Sequence, residues 1–238
     1  MPDALRAEDV VVRFGGVTAV DHVSLRLAEG EVLGLIGPNG AGKTTLFNAL
    51  TGYVPVDEGR IEMAGRDVTD LAPHRRARLG VGRTFQTERP FEELTVLENA
   101  LIPAFLSEPR RRAAERLALA TLETVGLGDR AGQPAMDLNL ARRRRLELAR
   151  ALAVRPRILF LDEVMAGLNP PALREMIGLV RTLRDRGIAI VMVEHIMEAI
   201  IELSDHVVVL ASGAQIAEGM PQAVTSDPTV IEAYLGTE

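Results

Sequence analysis

Residues 37–44, with the sequence GPNGAGKT, limit most strongly how this chain can fold. They match G-x-x-x-x-G-K-[ST], a loop whose backbone N–H groups surround a phosphate chain while its lysine reaches the outer phosphates. Lys43 is the only lysine among 27 basic residues. A compact ammonium on a flexible stem suits this position better than a planar guanidinium. Such a loop joins a strand to a helix, and we predict a strand at 32–37 and a helix at 42–51.

The apolar segments further along the chain repeat this alternation of strand and helix. Short β-rich runs at 157–161, 188–193 and 206–210 are separated by helical patterns, which indicates a parallel sheet covered by helices. The runs at 10–14, 23–27 and 61–63 are short or alternating, and they predict an antiparallel β flank. We therefore predict an α/β fold with a mainly parallel sheet, whose catalytic core comprises residues 1–86 and 154–238 of a single domain spanning 1–238.

Residues 87–153 interrupt the alternation. Thr95 and Glu98 have the spacing of a capping box, which marks a helix start. Further apolar residues recur at helical spacing up to Gly126, namely Ala114, Leu117, Ala118, Leu122 and Val125. We predict that residues 87–153 form an α-helical subdomain inserted into the core.

Composition excludes several classes of function. The absence of cysteine excludes disulfides, thiolate metal sites and cysteine nucleophiles. The longest apolar runs are far shorter than the roughly 20 residues that span a bilayer, and the first residues lack the pattern of a secretory signal. A net charge of −6 argues against general polyanion binding, so we do not expect nucleic acid as a partner. The expected compartment is the cytosol.

Two carboxylates and a histidine follow predicted core strands. Asp162 and Glu163 end an apolar strand, where successive side chains point in opposite directions, so they are expected to have different roles. We assign Mg²⁺ binding to Asp162, together with the hydroxyl of Thr44, and the polarisation of an attacking water to Glu163. His195 ends another strand, and the carboxyl ends of parallel strands share one rim. We therefore expect His195 near Lys43 and Glu163.

These residues together resemble the ATP-binding subunits of ABC transporters along nearly the whole chain, which implies a P-loop NTPase (RecA-like) core and ATPase activity. Gln86 matches the family's Q-loop glutamine, Phe14 the aromatic residue beside adenine, and His195 the switch histidine. Residues 166–169 match the D-loop. The implied catalytic residues are Glu163, His195 and Lys43. The implied ligands are ATP, held by Phe14, Gly37, Asn39, Gly40, Gly42, Lys43, Thr44, Thr45 and Gln86, and Mg²⁺, held by Thr44, Gln86 and Asp162.

Finer features resemble the ATPases that import branched-chain amino acids, namely RFGG at 13–16, RTFQ at 83–86, EH at 194–195 and VIEAYLG at 230–236. This resemblance implies a second ATPase subunit paired head to tail, as a homodimer or heterodimer, two transmembrane permease subunits and an extracytoplasmic binding protein. It also implies a location at the cytoplasmic face of the inner membrane. The ending YLG occurs as well in the ATPase of lipopolysaccharide export, so an exporter remains an alternative.

The signature loop departs from the family pattern. Residues 138–142 read LNLAR in place of LSGGQ, so Asn139 and Ala141 would complete the nucleotide site of the partner subunit. A left-handed backbone at Ala141 would cost about 1–2 kcal/mol. Either the loop is a tolerated variant, or this chain forms an asymmetric pair with a different ATPase. Val164 and Ile196 replace the family's usual proline and aspartate.

Two further hypotheses compete with an active transporter subunit. One is an ABC ATPase that acts on nucleic acid or ribosomes, which usually carries two ATPase halves or long coiled-coil insertions that this chain lacks. The other is a nucleotide-gated clamp with little hydrolysis, which the altered signature favours and the intact Glu163 and His195 oppose. For a transporter subunit, the family implies that a permease helix docks near residues 87–99, where Phe91, Leu94 and Val96 lie.

Overall fold

A computed structural model describes residues 3–85 and 90–235. Its strands are β1 (Asp3–Phe14), β2 (Val17–Ala28), β3 (Val32–Ile36), β4 (Glu58–Met63), β5 (Arg66–Asp67), β6 (Val81–Arg83), β7 (Ile158–Asp162), β8 (Ala189–Val193), β9 (His206–Ala211) and β10 (Ala214–Gly219). Its α-helices are α1 (Lys43–Thr51), α2 (Pro73–Arg78), α3 (Val96–Ser107), α4 (Arg111–Thr124), α5 (Leu140–Leu152), α6 (Pro170–Asp185), α7 (Met197–Leu203), α8 (Pro221–Thr225) and α9 (Pro228–Leu235). Short 3₁₀ turns occupy Gly128–Arg130 and Ala135–Asp137.

The amino-terminal strands form a four-stranded antiparallel sheet in the order β2-β1-β4-β5. A two-residue turn joins β1 to β2, because Phe14 pairs with Val17 across it, and Gly15 has a φ of 59° there. This sheet confirms the antiparallel flank. Its first two strands are 12 residues each, longer than predicted from their apolar runs.

The central sheet has six strands in the order β10-β9-β3-β8-β7-β6. All neighbours are parallel except β9 and β10, which are antiparallel, so the mainly parallel sheet is confirmed. Strands β6 and β10 were not predicted. The first has three residues, too few for a periodic pattern, and the second is a partly exposed edge strand without an apolar run.

Each face of the central sheet is covered by an apolar layer. Alternate residues of a strand point to opposite faces, so Ile158 and Phe160 join the core under the antiparallel sheet and α1. Leu159 and Leu161 join the core under the other helices. The strands are therefore buried on both sides, which explains their continuous apolar runs.

The predicted insertion contains three packed helices, since α3 contacts both α4 and α5. The capping box at its start is formed. Thr95 accepts the N–H of Glu98, and the carboxylate of Glu98 accepts the N–H of Thr95. The bounds 87–153 of a separate subdomain stay a prediction. Within the described ranges, every helix is too short or too polar to cross a membrane.

Candidate functional site

The loop between β3 and α1 has the backbone that a phosphate-binding loop requires. Gly37, Gly40 and Gly42 have φ values of 148°, 78° and 98°, which side chains disfavour. A Cβ on Gly37 would lie 2.1 Å from the carbonyl oxygen of Leu210, and one on Gly42 would lie 2.4 Å from that of Ala19. A Cβ on Gly40 would meet nothing within 4 Å. The glycines thus allow tight packing beneath the loop and leave its outer side open.

The start of α1 faces this loop. Gly42 precedes the helix and supplies no side-chain cap, so the first N–H groups of α1 are suited to an anion. The ammonium of Lys43 donates to the carbonyls of Gly37 at 2.6 Å and Pro38 at 2.8 Å. Burial lowers the pKa of Lys43, and the charge of Glu163 raises it. The predicted phosphate ligands Asn39, Gly40 and Thr44 are exposed, and Thr45 is half-buried.

Asp162 and Glu163 have different partners, and the different roles assigned to them stay a prediction. Asp162 is 4% exposed and lies 3.6 Å from Nη2 of Arg83. Burial raises the pKa of Asp162, and the Arg83 guanidinium opposes this shift. Glu163 follows β7 with a φ of 50°, and its Oε1 lies 2.8 Å from Nε2 of His195. The carboxylates therefore diverge after the strand ends.

His195 lies on the same rim because β3, β8 and β7 are adjacent and parallel. Glu163 contacts His195, and the loop that carries Lys43 begins at the end of β3 on the same rim. The three predicted catalytic residues therefore share this rim. Ile196 follows and supplies no side-chain cap to α7. Val164, also a departure from the family, is 1% exposed in the helix-covered core, so an apolar residue suits that position.

Glu194 has a structural role that its sequence context did not reveal. Its buried carboxylate accepts the N–H of Met165 at 3.0 Å, which ties the end of β8 to the turn after Glu163. Burial and the charge of Glu163 raise the pKa of Glu194 to about 7, against the opposing effects of Arg144 and of the backbone N–H groups of Met165 and His195. No periodic pattern would have revealed this contact between residues 29 positions apart.

Tyr234 also contacts the phosphate loop. Its hydroxyl accepts the N–H of Gly37 at 2.8 Å, and burial raises its pKa. The sequence identified residues 230–236 only as part of a family resemblance. The structure gives α9 a contact with the first residue of the loop.

The remaining predicted residues lie further out. Phe14 is 53% exposed at the tip of the β1–β2 hairpin, whose Ala19 carbonyl is beside Gly42. Asn139 caps α5 by accepting the N–H of Arg142 at 3.0 Å. Ala141 lies inside α5 and has no positive φ, so the predicted cost of a left-handed backbone does not apply. Gln86 lies outside the described residues.

A cleft of about 480 Å³ separates the core from the helical segment. Its lining residues include Tyr53, Arg83, Phe85, Phe91 and Ile102. It lies beside part of the predicted docking region, of which residues 87–89 are outside the described ranges. Phe91 is exposed, Leu94 is half-buried and Val96 is buried in the core. Of these three residues, Phe91 is the one that lines the cleft.

The residues present fit a Mg-nucleotide. The open glycine loop, the uncapped start of α1 and the Lys43 ammonium suit a phosphate chain. The hydroxyl of Thr44 and the carboxylate of Asp162 provide the hard oxygen ligands that Mg²⁺ prefers. The Glu163–His195 contact adds a base near the same rim.

Comparison with known proteins identifies relatives over nearly the full chain. A family profile described as ABC transporter matches residues 20–166, and one described as branched-chain amino acid ATP-binding cassette transporter matches residues 214–238. The high-affinity branched-chain amino acid transport ATP-binding protein BraF of Pseudomonas aeruginosa is 40% identical, over 98% of this chain and 97% of its own length. The corresponding LivG protein of Salmonella typhimurium is 42% identical over the same shares.

Solved structures agree with this relationship. The ADP conformation of MJ1267, an ATP-binding cassette of an ABC transporter, is 32% identical and superposes with a TM-score of 0.89 over 100% of both chains. A dimeric post-hydrolysis structure of the cassette MJ0796 with ADP and phosphate covers 91% of this chain and 98% of its own, with a TM-score of 0.81. At 23% identity the second likeness concerns the fold alone.

Proposed function

This chain belongs to the ABC transporter family of ATP-binding proteins, and we propose that it hydrolyses ATP to drive the import of branched-chain amino acids. The main observation behind the ATPase assignment is the 2.8 Å contact of Glu163 with His195, at the strand rim where the glycine loop of Lys43 also begins. Two observations support the substrate class. Relatives named for branched-chain amino acid transport match nearly the full chain, and the carboxyl-terminal profile carries the same description.

In the proposed site the phosphates of ATP bind to the glycine loop and the start of α1. Lys43 exchanges the carbonyls of Gly37 and Pro38 for phosphate oxygens, since its flexible stem allows this movement. Phe14 holds the adenine. Thr44, Asp162 and Gln86 would hold Mg²⁺, which would neutralise phosphate charge.

Glu163 orients the attacking water and accepts its proton. The 2.8 Å contact with His195 holds the carboxylate before reaction, and His195 then contacts the γ-phosphate. Because both groups are present and joined, a clamp with little hydrolysis is disfavoured. A positioned base contributes about 10²–10⁴ in rate.

We propose that the chain works in a head-to-tail pair at the cytoplasmic face of the inner membrane, held there by two permease subunits and served by an extracytoplasmic binding protein. The cleft beside Phe91 is the proposed docking place of a permease helix. Asn139 and Ala141 would complete the partner's nucleotide site. The start of α5 is capped and has no strained backbone, which supports the proposal that these two residues can contact the partner's nucleotide.

The ATPase assignment is tested by phosphate release from the full chain purified with its membrane subunits. We expect Glu163→Gln to lower turnover about 10²–10⁴-fold while nucleotide binding persists. Glu115→Gln, an exposed change on α4, is the matched control. Near-normal turnover in Glu163→Gln would refute the role of this base.

The transport assignment is tested by uptake of labelled leucine, isoleucine and valine in cells that carry Glu163→Gln. Loss of uptake with unchanged lipopolysaccharide at the cell surface supports the importer. Unchanged uptake with impaired lipopolysaccharide export would instead support the exporter.

An asymmetric pair is the second candidate, because residues 138–142 lack the usual signature. If the partner is a different ATPase with an intact signature, Lys43 and Glu163 of this chain form the faster site. The site completed by Asn139 and Ala141 is then slower. Replacing Glu163 and the partner's equivalent one at a time tests this idea, and equal losses of turnover would rule it out.

A further inference from the structure

Arg83 is enclosed between the cleft and the rim of the nucleotide site. Only 10% of its side chain is exposed. Its guanidinium carbon lies 4.7 Å from the ring centre of Tyr53, 4.8 Å from that of Phe47 and 5.0 Å from that of Phe85. Tyr53 and Phe85 also meet edge to face at 5.8 Å. Three ring contacts restrict the guanidinium and attract its charge.

The two terminal nitrogens of Arg83 have different polar neighbours. Nη2 lies 3.6 Å from a carboxylate oxygen of Asp162, while Nη1 donates to the hydroxyl of Thr51 at 2.5 Å. Thr51 in turn donates to the carbonyl of Phe47 at 2.7 Å. Arg83 is thus anchored to the last turn of α1, the helix that starts at Lys43.

The separation from Asp162 matters because it exceeds a normal hydrogen bond. At 3.6 Å the guanidinium attracts the carboxylate mainly through its charge. The main chain is fixed independently, because the N–H of Asp162 donates to the Thr84 hydroxyl at 3.0 Å. Arg83 therefore acts on the side chain of Asp162.

We propose that Arg83 is a positioning residue that aims the Asp162 carboxylate at Mg²⁺ and is itself held by the rings of Tyr53 and Phe85. This inference rests on the proposed function, in which Asp162 serves the metal. Both rings line the cleft, so a segment that binds there and displaces them also displaces Arg83. The arrangement links the cleft to the metal ligand through a single side chain.

The experiment measures binding of a fluorescent ATP analogue to the full chain, first with EDTA and then during titration with Mg²⁺. We expect Arg83→Met to raise the half-saturating Mg²⁺ concentration about 10–100-fold, the usual effect of losing a group that orients a metal ligand. Metal-free nucleotide affinity should change less than about twofold, because within the described residues the side-chain contacts of Arg83 are with Thr51, Asp162 and three aromatic rings, outside the phosphate loop. Arg83→Lys keeps the charge and should recover part of the loss.

Arg150→Met is the matched control. Arg150 lines the same cleft, stacks on Phe91 at 5.3 Å and forms an ion pair with Glu147 at 2.5 Å. We expect this variant to leave the Mg²⁺ titration unchanged. A shift equal to that of Arg83→Met would overturn the proposal, since any cleft arginine would then suffice.

If Arg83→Met does not fold, Tyr53→Leu is tested in its place, because Tyr53 is 52% exposed and its ring contacts Arg83. We expect a shift of about threefold in Mg²⁺ affinity, smaller than the loss expected when the positioning residue itself is removed. An unchanged Mg²⁺ titration in a folded Arg83→Met or Tyr53→Leu protein overturns the inference alone. A wild-type chain that binds no nucleotide would instead refute the proposed function.

Discussion

Replacing Glu194 by glutamine should make the protein more stable at neutral and alkaline pH. The Glu194 carboxylate is 1% exposed, and the groups acting on it are Glu163, Arg144 and the N–H groups of Met165 and His195. A glutamine carbonyl can accept the Met165 N–H in the same way. The substitution therefore removes the titration and keeps the hydrogen bond.

The magnitude follows from the pKa of the Glu194 carboxyl. Burial raises this pKa from 4.5 to about 7. Between those values the folded state holds a proton that the unfolded state has lost, so wild-type stability falls as pH rises through this window. The shift corresponds to about 3 kcal/mol at about 1.36 kcal/mol per unit. Glu194→Gln should gain up to this amount above about pH 8 and nothing below about pH 4.

The assay is urea unfolding of both proteins from acid to alkaline pH, followed by circular dichroism. For a chain of this size, about 3 kcal/mol also raises Tm by roughly 6–12 °C. The exposed Glu198→Gln on α7 controls for the loss of a carboxylate from the same segment. A difference between wild type and Glu194→Gln that is the same at every pH would refute the reasoning, since the gain must disappear on acidification.

Other contacts give further expectations. Tyr234→Phe removes the acceptor of the Gly37 N–H and should cost about 1–3 kcal/mol in denaturant unfolding, whereas Tyr53→Phe should not. Gly37→Ala places a Cβ 2.1 Å from a carbonyl oxygen and should abolish binding of a fluorescent ATP analogue; retained affinity would contradict the loop geometry. Arg76→Met removes hydrogen bonds to carbonyls at the end of α1 and should cost about 2–4 kcal/mol by the same unfolding assay. Asn139→Ala should cost about 1 kcal/mol by loss of the α5 cap, and Asn139→Ser should cost almost nothing; equal losses would argue against capping.

Much of the site could be predicted because its parts are local. The glycine spacing around Lys43 encodes the turn that leads into α1. The acidic pair after an apolar strand, and His195 after another, indicate positions on a shared rim once the strands are taken as parallel. The exact order of strands was less accessible, because β6 is three residues long and β10 has no apolar run.

The backbone of the signature loop differs from the sequence-based expectation. Because Ala141 stands where the family has glycine, we expected that it could have a left-handed backbone at a cost of about 1–2 kcal/mol. The structure starts α5 at Leu140, so Ala141 has an ordinary helical backbone. Asn139 caps that helix by accepting the N–H of Arg142, a role that its short polar side chain suits.

The sequence by itself determined the α/β class, the phosphate loop and the residue types at the rim, because these depend on neighbours a few positions apart. Only the tertiary structure decided that Tyr234 accepts a hydrogen bond from Gly37 and that Glu194 accepts one from Met165. It also decided that three aromatic rings enclose Arg83 beside Asp162. These contacts join residues that are often dozens of positions apart, as with the 197 positions between Gly37 and Tyr234. Periodicity along the chain carries no record of such pairs, since they form only when the sheet order and helix packing bring the segments together.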